Sequence, residues 1–303
     1  MNTKRPAVFL VDASMYVFRA WHSLPDEFRD TDDWPVNAVH GFTRFVLELL
    51  EKHRPARLLF AFDEALASNF RNSFYPAYKA NREPAPEELK RQFDYCRQVC
   101  RALGFTVLSD QRYEADDLIG SALFALRRDG HSGMIVSGDK DLAQLLEGDD
   151  EQWDYARNER WNVHGVKARY GVHAHQVADY LGLTGDAVDN IPGVPGIGAK
   201  SAAALLEHFG SLDALLERLA EVPFLRLRGS AAHATRLQAH RELALLSRRL
   251  ATIACDAPLP ADFDGGVRRP IDAAALEALV ERLRFGPMTR RRLQAAFGLG
   301  EPA

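Results

Sequence analysis

Cysteine is scarce in this chain, and its few cysteines form no metal-binding or disulfide pattern. Three cysteines occur among 303 residues, and none belongs to a Cys/His zinc motif. This scarcity excludes a small disulfide-stapled scaffold and favours a reducing compartment, so we expect a cytoplasmic protein. Cys96 and Cys100 lie one helical turn apart, and we predict that both are buried core thiols.

Long apolar runs are also missing from the sequence. The apolar run that follows the basic N-terminus stops at Asp12, which is too early for a signal peptide. No stretch approaches the roughly 20 apolar residues of a membrane span. The sequence therefore predicts no membrane association.

The chain also lacks a strong net charge. The formal net charge is −4, which alone argues against a nucleic-acid-binding protein. The distribution changes this interpretation, because nine acidic residues are clustered in motifs and the chain without them would carry a net charge of +5. Residues 200–303 carry 15 Lys and Arg against 12 Asp and Glu. An acidic, cation-filled site beside a mildly basic surface can still hold a polyanion.

Acidic residues follow three apolar runs that have the length of buried strands. The runs AVFLVD, LLFAFD and MIVSGD stop at Asp12, Asp63 and Asp139. Parallel α/β sheets form their ligand crevices at the carboxyl ends of strands, so we expect these carboxylates to share one crevice. The remaining members of the acidic set are Glu114, Asp116, Asp117, Asp141, Asp186 and Asp189.

Nine carboxylates in one crevice could not all stay ionised without bound cations. Any one of these groups could merely cap a helix or stabilise a turn, but their coincidence within one topology favours a metal site. Carboxylate sets without His or Cys select hard ions, so we predict two Mg²⁺ ions, with Mn²⁺ as the substitute. A pair of such ions suits in-line hydrolysis of a phosphodiester.

A glycine-rich turn provides a second signal. In IPGVPGIGAKS, Gly193, Gly196 and Gly198 allow close backbone approach, and Lys200 and Ser201 lie where a helix opens. Free N–H groups at a helix start bind phosphate, so this motif predicts a helix-hairpin-helix clamp on a nucleic-acid backbone. A purely structural turn between two helices remains the alternative.

A loop between Asp63 and Glu114 mixes aromatic and basic residues. Residues 69–89 include Tyr78, Lys79 and Arg82, together with prolines that prevent one continuous helix. Aromatic faces beside cations suit single-stranded nucleic acid, although a solvated surface loop would have the same composition.

The order of segments predicts an α/β fold followed by a helical region. Strand-like and helix-like segments alternate over the first half, which indicates βαβ units and a mainly parallel sheet flanked by helices. Helical patterns dominate from about residue 172, including a long one from Ala232 to Leu250. We therefore expect a core at residues 1–171 and a second region at residues 172–303.

Taken together, these motifs resemble the 5′ nucleases, the family of the 5′-3′ exonuclease domain of bacterial DNA polymerase I, its stand-alone relatives and the flap endonucleases. The segments that carry the resemblance are LVDASMYVFRAWHSLP, FAFDEALASNFRNSFYPAYKANR, YEADDLIG, SGDKDLAQLL and GDAVDNIPGVPGIGAKSAAALLEHFG. The resemblance implies a PIN-like nuclease core, a helical arch at about residues 64–112 and a helix-three-turn-helix (helix-hairpin-helix) subdomain. It covers about residues 7–295, and no polymerase follows, so we expect a free-standing nuclease or an isolated domain.

The same resemblance assigns roles to individual residues. One metal would be held by Asp12, Asp63, Glu114, Asp116 and Asp117, and the other by Asp139, Asp141, Asp186 and Asp189. The catalytic residues would be Lys79, Arg82 and Asp116. Of these, Lys79 and Arg82 would contact the scissile phosphate. The main chain of the hairpin would bind K⁺ through Ile191, Pro192, Val194 and Ile197. DNA contacts would come from Arg19, Tyr78, Lys79, Arg82, Gly193, Gly196, Gly198, Lys200 and Ser201.

The predicted function is a two-metal, structure-specific 5′ nuclease, with 5′-3′ exonuclease and flap endonuclease activity in primer removal and repair. Its partners would be 5′-flapped, branched or nicked DNA and a DNA polymerase, and the chain would be a monomer. One alternative is a non-catalytic DNA-junction-binding protein, which would lack some of the nine acids. Another is a PIN-type ribonuclease, which would need only about four acids and no hairpin.

Overall fold

The computed structural model describes residues 5–64 and 69–296. They form two compact units, one drawn from residues 5–64, 84–137 and 255–296 and the other from residues 69–83 and 138–254. Across the described ranges, no helix has both the length and the apolar character needed to cross a bilayer. The boundary near residue 171 stays a prediction.

Helices and strands alternate along the first half of the chain, and helices dominate the second. The strands are β1 (Ala7–Asp12), β2 (Leu58–Asp63), β3 (Thr106–Asp110), β4 (Ser132–Val136), β5 (Glu151–Asp154) and β6 (Glu159–Asn162). The first helices are α1 (Ala13–Ser23), α2 (Asn37–His53), α3 (Glu87–Ala102), α4 (Ala115–Arg128), α5 (Val163–Tyr170) and α6 (Val177–Thr184). They are followed by α7 (Ala199–Phe209), α8 (Leu212–Glu217), α9 (Ser230–Ala239), α10 (Arg241–Ala251), α11 (Ala273–Arg282) and α12 (Pro287–Ala295).

The first unit is built on four parallel strands in the order β3-β2-β1-β4. Helices cover both faces of such a sheet, which explains why β1 and β2 are apolar throughout instead of alternating. Phe60 and Phe62 on β2 are fully buried and pack against the ring of Phe42 on α2. Within the sheet, Asp12 is in register with Ala61, so Asp12 and Asp63 leave adjacent strands at the same edge.

The second unit consists of an antiparallel hairpin, β5-β6, and helices α5–α10. Helix α6 packs against α10 and α7. Short 3-10 turns lie at Phe70–Ser73, Asp141–Leu145 and Leu219–Phe224. The turn between α6 and α7 holds the glycine-rich hairpin.

The predicted α/β class with a mainly parallel sheet is confirmed, and the structure corrects two predicted elements. The strand predicted at residues 134–137 lies at Ser132–Val136, so Asp139 follows it by three residues instead of ending it. The helix predicted from Ala232 to Leu250 is broken at His240, which ends α9 and begins α10. The two pieces pack on different partners, since α9 contacts the turn at Leu219–Phe224 and α10 contacts α6.

Candidate metal centre and nucleic-acid interface

The first set of predicted ligands begins where β1 and β2 end. Asp12 is buried and caps α1, with Oδ1 accepting the N–H of Met15 at 3.1 Å. Its Oδ2 accepts the hydroxyl of Ser137 at 2.9 Å. On the neighbouring strand, the backbone N–H of Asp63 donates to Ser14 Oγ at 2.8 Å. Two serines therefore fix the directions in which these acids leave the sheet.

The start of α4 brings the other acids of this set to Asp63. Asp63 Oδ1 accepts the N–H of Ala115, the first residue of α4, at 2.8 Å. Glu114 and Asp117 form a capping box there, in which Asp117 Oδ2 accepts the N–H of Glu114 at 3.0 Å. Asp117 is fully buried, whereas Glu114 and Asp116 are half-buried. The helix cap thus holds three acids beside the end of β2.

The second unit contains the other four predicted ligands. The N–H of Asp141 donates to Asp139 Oδ1 at 2.9 Å. Burial, together with the carboxylates of Asp139, Asp186 and Asp189, raises the pKa of Asp141 to about 8. Burial and the charge of Asp189 also raise the pKa of Asp139. These shifts show that the four carboxylates lie close enough to repel one another.

Three cations partly neutralise the second set. Lys140 Nζ lies 2.6 Å from Asp186 Oδ2, and although burial raises the pKa of Asp186, this hydrogen bond holds it below its ordinary value. Asp189 is paired with both Lys79, at 3.6 Å, and Arg82. The two predicted phosphate-binding cations are thus held by a predicted metal ligand.

Backbone hydrogen bonds fix the loop that carries these cations. The N–H of Lys79 donates to the carbonyl of Asp189 at 3.0 Å. Side-chain amides reinforce this contact in both directions, from Asn190 to the carbonyl of Ala77 at 2.6 Å and from Asn81 to the carbonyl of Ala187 at 2.8 Å. Lys79 and Asn190 adopt positive φ angles of 55°, an uncommon conformation that these bonds maintain. A helical arch stays a prediction, since residues 65–68 lie outside the described ranges and residues 69–83 form turns.

The structure corrects the role of Tyr78. Its side chain is only 5% exposed, so its ring is not available to stack on a base. Instead, the charged groups of Lys79 and Arg71 lie 5.1 and 5.7 Å from the ring centroid. Tyr78 therefore supports the cationic loop through cation–π contacts.

The hairpin between α6 and α7 has one glycine that no protein contact explains. Gly193 has a φ of 63°, and a Cβ there would overlap the backbone of Gly185. Gly196 has a φ of 79°, and a Cβ would lie 2.8 Å from the Arg236 guanidinium carbon. Gly198, in contrast, has ordinary backbone angles and open space where a Cβ would stand. That open space and the uncapped start of α7, with exposed Lys200, suit a phosphate.

The predicted K⁺ ligands lie in the same hairpin. The carbonyl of Ile191 accepts the N–H of Asp186 at 2.9 Å, and that of Val194 accepts the N–H of Ile197 at 3.0 Å. A carbonyl oxygen has a second lone pair, so these bonds leave each oxygen able to ligate an ion. Binding of K⁺ stays a prediction.

The carboxylates fit hard divalent cations in their chemistry. All nine candidate ligands offer oxygen, and Asp141 Oδ1 is buried without a hydrogen-bond partner among the described residues. Within those residues, no three His, Cys, Asp or Glu side chains are already arranged at metal-binding distances. Several carboxylates instead accept bonds from Lys, Arg and backbone donors. The predicted convergence of both sets on one crevice stays a prediction, as does the role of exposed Arg19 on α1.

Sequence reasoning missed several polar residues that position the predicted ligands. They are Ser14, Arg71, Asn81, Ser137 and Asn190. Arg71 is buried and donates to the carbonyls of Leu250 and Thr252 at 2.8 and 2.9 Å, which anchors the loop of Lys79 to the end of α10. A buried arginine in a basic loop has the same sequence signature as an exposed one, so no signal was present. Ser14 lies two residues after Asp12, and this spacing is the only sequence signal that could have indicated a residue positioning the predicted ligands.

Two family models match the chain over adjoining ranges. The first, described as the N-terminal resolvase-like domain of 5′-3′ exonucleases, matches residues 7–171. The second, described as the C-terminal SAM fold of 5′-3′ exonucleases, matches residues 172–274. Together they cover all nine predicted carboxylate ligands and the hairpin.

Similar proteins and structures agree with these matches. DNA polymerase I of Rhizobium leguminosarum is 38% identical over 295 residues, which is 95% of this chain and 28% of that protein. DNA polymerase I of Pseudomonas aeruginosa is 37% identical over 293 residues, 96% of this chain and 32% of that protein. The chain thus spans about a third of the length of these curated relatives.

Two solved structures show the same fold at low identity. The zinc-bound T5 5′-exonuclease aligns with a TM-score of 0.66 and 19% identity, covering 97% of this chain and 100% of its own. The catalytic core of Rad2 in complex with a DNA substrate aligns with a TM-score of 0.64 and 13% identity, covering 97% and 93%.

The raised pKa of Asp141 predicts a pH-dependent stability. The folded protein retains this proton well above the ordinary value of 3.8, so the metal-free protein should lose stability as the pH rises from about 4 to about 8. Asp141→Asn should remove this cost and raise the free energy of unfolding at pH 8.5 by roughly 1 kcal/mol or more, equivalent to about one pKa unit. Urea denaturation in the presence of chelator measures this difference in the free energy of unfolding.

Asp149→Asn is the matched control, because Asp149 is exposed in the same unit. It should leave the pH dependence unchanged. An Asp141→Asn variant that is less stable than the parent at pH 8.5 would contradict the assignment of a buried repulsive carboxylate.

Proposed function

Because the chain belongs to the 5′-3′ exonuclease family, we propose that it is a structure-specific 5′ nuclease that hydrolyses DNA at 5′ flaps and ends. The observation that carries this proposal is the second carboxylate set, where burial and neighbouring carboxylates raise the pKa values of Asp139 and Asp141, and where Lys79 and Arg82 pair with Asp189. A cluster of buried carboxylates with raised pKa values beside phosphate-seeking cations is typical of a functional site. It suits divalent metal and a phosphodiester.

Divalent cations would bind to both carboxylate sets, with Asp12, Asp63, Glu114 and Asp116 in one and the four acids of the second unit in the other. When bound, Mg²⁺ or Mn²⁺ supplies a nucleophilic water at neutral pH and stabilises charge on the phosphate oxygens. Asp117 orients the start of α4 through its capping bond, so it would act by placing Glu114 and Asp116. The serines at positions 14 and 137 do the same for Asp63 and Asp12.

Lys79 and Arg82 have two tasks in this proposal. They neutralise Asp189 in the metal-free protein, and they bind the phosphate when a substrate enters. Cations placed where negative charge develops stabilise the transition state for phosphoryl transfer. Their backbone anchor at Asp189 and Asn190 limits their motion, which keeps them in position without a metal.

The hairpin would bind the backbone of duplex DNA. Gly198 leaves room for a phosphate at the start of α7, and exposed Lys200 and half-buried Ser201 flank that position. Contacts of this kind are independent of base sequence, so the strand geometry of the substrate would select the cleavage site. K⁺ held by carbonyls of residues 191–197 would add positive charge to the same turn.

The partners and location of the protein follow from the same proposal. We infer a 5′-flapped, branched or nicked DNA substrate, a monomeric enzyme, and a DNA polymerase that produces the displaced strand. Buried, unpaired Cys96 and Cys100 support a reducing cytoplasm. Burial raises the pKa of both thiols well above the ordinary value, which keeps them unreactive.

Cleavage of a 5′-flapped duplex tests the function. We expect Mg²⁺-dependent cleavage near the junction of single strand and duplex, and loss of cleavage with chelator or with Asp116→Asn. Asp129→Asn, at the other end of α4, is the matched control and should cleave normally. Binding without cleavage would favour the junction-binding alternative, and preference for a single-stranded RNA would favour the PIN-type ribonuclease.

Replacing the cations should separate catalysis from metal binding. Lys79→Ala and Arg82→Ala should each slow single-turnover cleavage at least tenfold, about 1.4 kcal/mol of barrier. The same variants should bind Mn²⁺ more tightly, because Asp189 loses a competing partner.

Lys167→Ala, which breaks an exposed ion pair with Glu207 elsewhere in the second unit, is the control for both measurements. Unchanged single-turnover rates would remove Lys79 and Arg82 from the mechanism. Weaker Mn²⁺ binding would contradict their competition with metal.

Two glycines of the hairpin should respond differently to alanine. Gly193→Ala should destabilise the fold by roughly 1–3 kcal/mol, because its positive φ and close approach to Gly185 exclude a side chain. Gly198→Ala should cost less, about 1 kcal/mol at most from the lost N-cap preference, but weaken duplex binding, since its methyl group enters the phosphate position. Thermal unfolding measures the change in stability of each variant, and DNA titration measures the change in duplex affinity. Full-strength duplex binding by Gly198→Ala would contradict the clamp.

A further inference from the structure

A stretch without acidic residues lies in the second unit, C-terminal to the glycine-rich hairpin. Residues 222–241, here called the basic segment, contain Arg226, Arg228, Arg236 and Arg241 and no Asp or Glu. The chain as a whole has a net charge of −4, so this concentration of positive charge is local. A basic stretch of this kind is an electrostatic footprint for a polyanion.

Phe224 is the most exposed of the described large apolar side chains, at 87%. It ends the 3-10 turn Leu219–Phe224, and Leu225 that follows has extended backbone angles. Burial then alternates, with Leu225 and Leu227 half-buried and Arg226 and Arg228 exposed. The exposed positions 224, 226 and 228 therefore present one aromatic ring and two guanidinium groups to solvent.

The charges of Arg226 and Arg228 are not neutralised by the described residues. Neither side chain forms an ion pair or hydrogen bond with them, whereas Arg218, just before the turn, is paired with Glu221 at 2.6 Å. Arg241, at the far end of the basic segment, donates to the carbonyl of Leu216 at 2.8 Å. Two cations beside an exposed ring are thus left without a structural role.

The basic segment is connected to the glycine-rich hairpin. Arg236 on α9 donates to the carbonyl of Gly196 at 3.0 Å. Helix α9 also packs against the turn that ends at Phe224. Both contacts lie within the second unit, so the ring and its flanking arginines belong to the same body as the predicted phosphate clamp.

We propose that Phe224, Arg226 and Arg228 form a second nucleic-acid contact, at which the ring stacks on an unpaired base and the guanidinium groups bind the flanking phosphates. This deepens the proposed function and rests on it, since it names unpaired DNA as a ligand of the second unit. Aromatic rings interleaved with arginines are the usual means of holding single strands without sequence preference. A protein partner is less favoured, because one exposed ring offers little of the area that a protein interface buries.

Binding measured in chelator tests this contact without cleavage. The probes are a single-stranded oligonucleotide, a blunt duplex, and a 5′-flapped duplex carrying 2-aminopurine in its unpaired strand. Phe224→Leu keeps an apolar side chain but removes the ring, and should weaken binding of the single strand on the order of tenfold. Phe224→Trp should restore it and quench the 2-aminopurine signal.

The arginines should contribute through charge. Arg226→Ala and Arg228→Ala should each lower the slope of log affinity against log salt by about 0.7 for the single strand, the value expected for one lost phosphate contact. Binding of the blunt duplex should be nearly unchanged in all of these variants, because the hairpin alone contacts it.

Met288→Ala and Arg291→Ala form the matched control pair. Met288 is 77% exposed, and Arg291 lies one turn further along α12 and is also exposed, so the pair places an exposed apolar side chain near an exposed arginine in the first unit. These controls should bind every probe like the parent protein. Thermal unfolding confirms that each variant is folded.

The outcomes separate this proposal from the proposed function. If the parent binds the flapped duplex and Phe224→Leu binds the single strand equally well, the second contact is wrong and the nuclease proposal stands. Equal losses of affinity for the blunt duplex and the single strand would also overturn it. Removing a contact that is made only with unpaired bases should leave duplex binding unchanged. If the parent binds none of the three probes, the proposed function itself fails.

Discussion

The repulsion between buried carboxylates is the constraint on which the candidate site depends. Asp141 has a raised pKa because burial and three neighbouring acids disfavour its charge, and one of its oxygens has no hydrogen-bond partner among the described residues. A protein that folds around such a group gives up stability that it could recover by a single Asp→Asn change. The cation proposed for this site would give the retained acid a function. The surrounding hydrogen bonds and ion pairs would position the acids for that cation.

Neutral and cationic side chains both contribute to that restraint. In the first unit, Ser14, Ser137 and the capping box of α4 hold the acids by neutral hydrogen bonds. In the second unit, Lys140, Lys79 and Arg82 form ion pairs with Asp186 and Asp189. A divalent cation at the second set, as proposed, would have to displace these ion pairs in part. Its affinity there would therefore be coupled to the position of the cationic loop.

Much of this arrangement could be predicted from the sequence, because buried parallel strands have a strong signature. β1 and β2 lie at the predicted residues, and the family and the nuclease class are confirmed by the family models. The predicted bounds of β4 and the unbroken helix predicted from Ala232 to Leu250 were wrong, since an apolar run does not reveal where strand pairing stops or where a helix changes its packing partner. Tyr78 was misassigned because exposure depends on tertiary packing. Arg226 and Arg228 beside Phe224 belong to no sequence motif, and only their exposure in the structure indicates a binding surface.

Calorimetric titration of the chelator-treated protein with Mn²⁺ tests the central claim most directly, since it measures cation binding without requiring DNA or activity. The account predicts two Mn²⁺ ions per chain, one lost in Asp116→Asn and the other in Asp141→Asn, with protons released on binding at the second set, where Asp141 has a raised pKa. Binding of two ions by both variants, or of none by the parent protein, would contradict the claim that these carboxylates exist to hold metal.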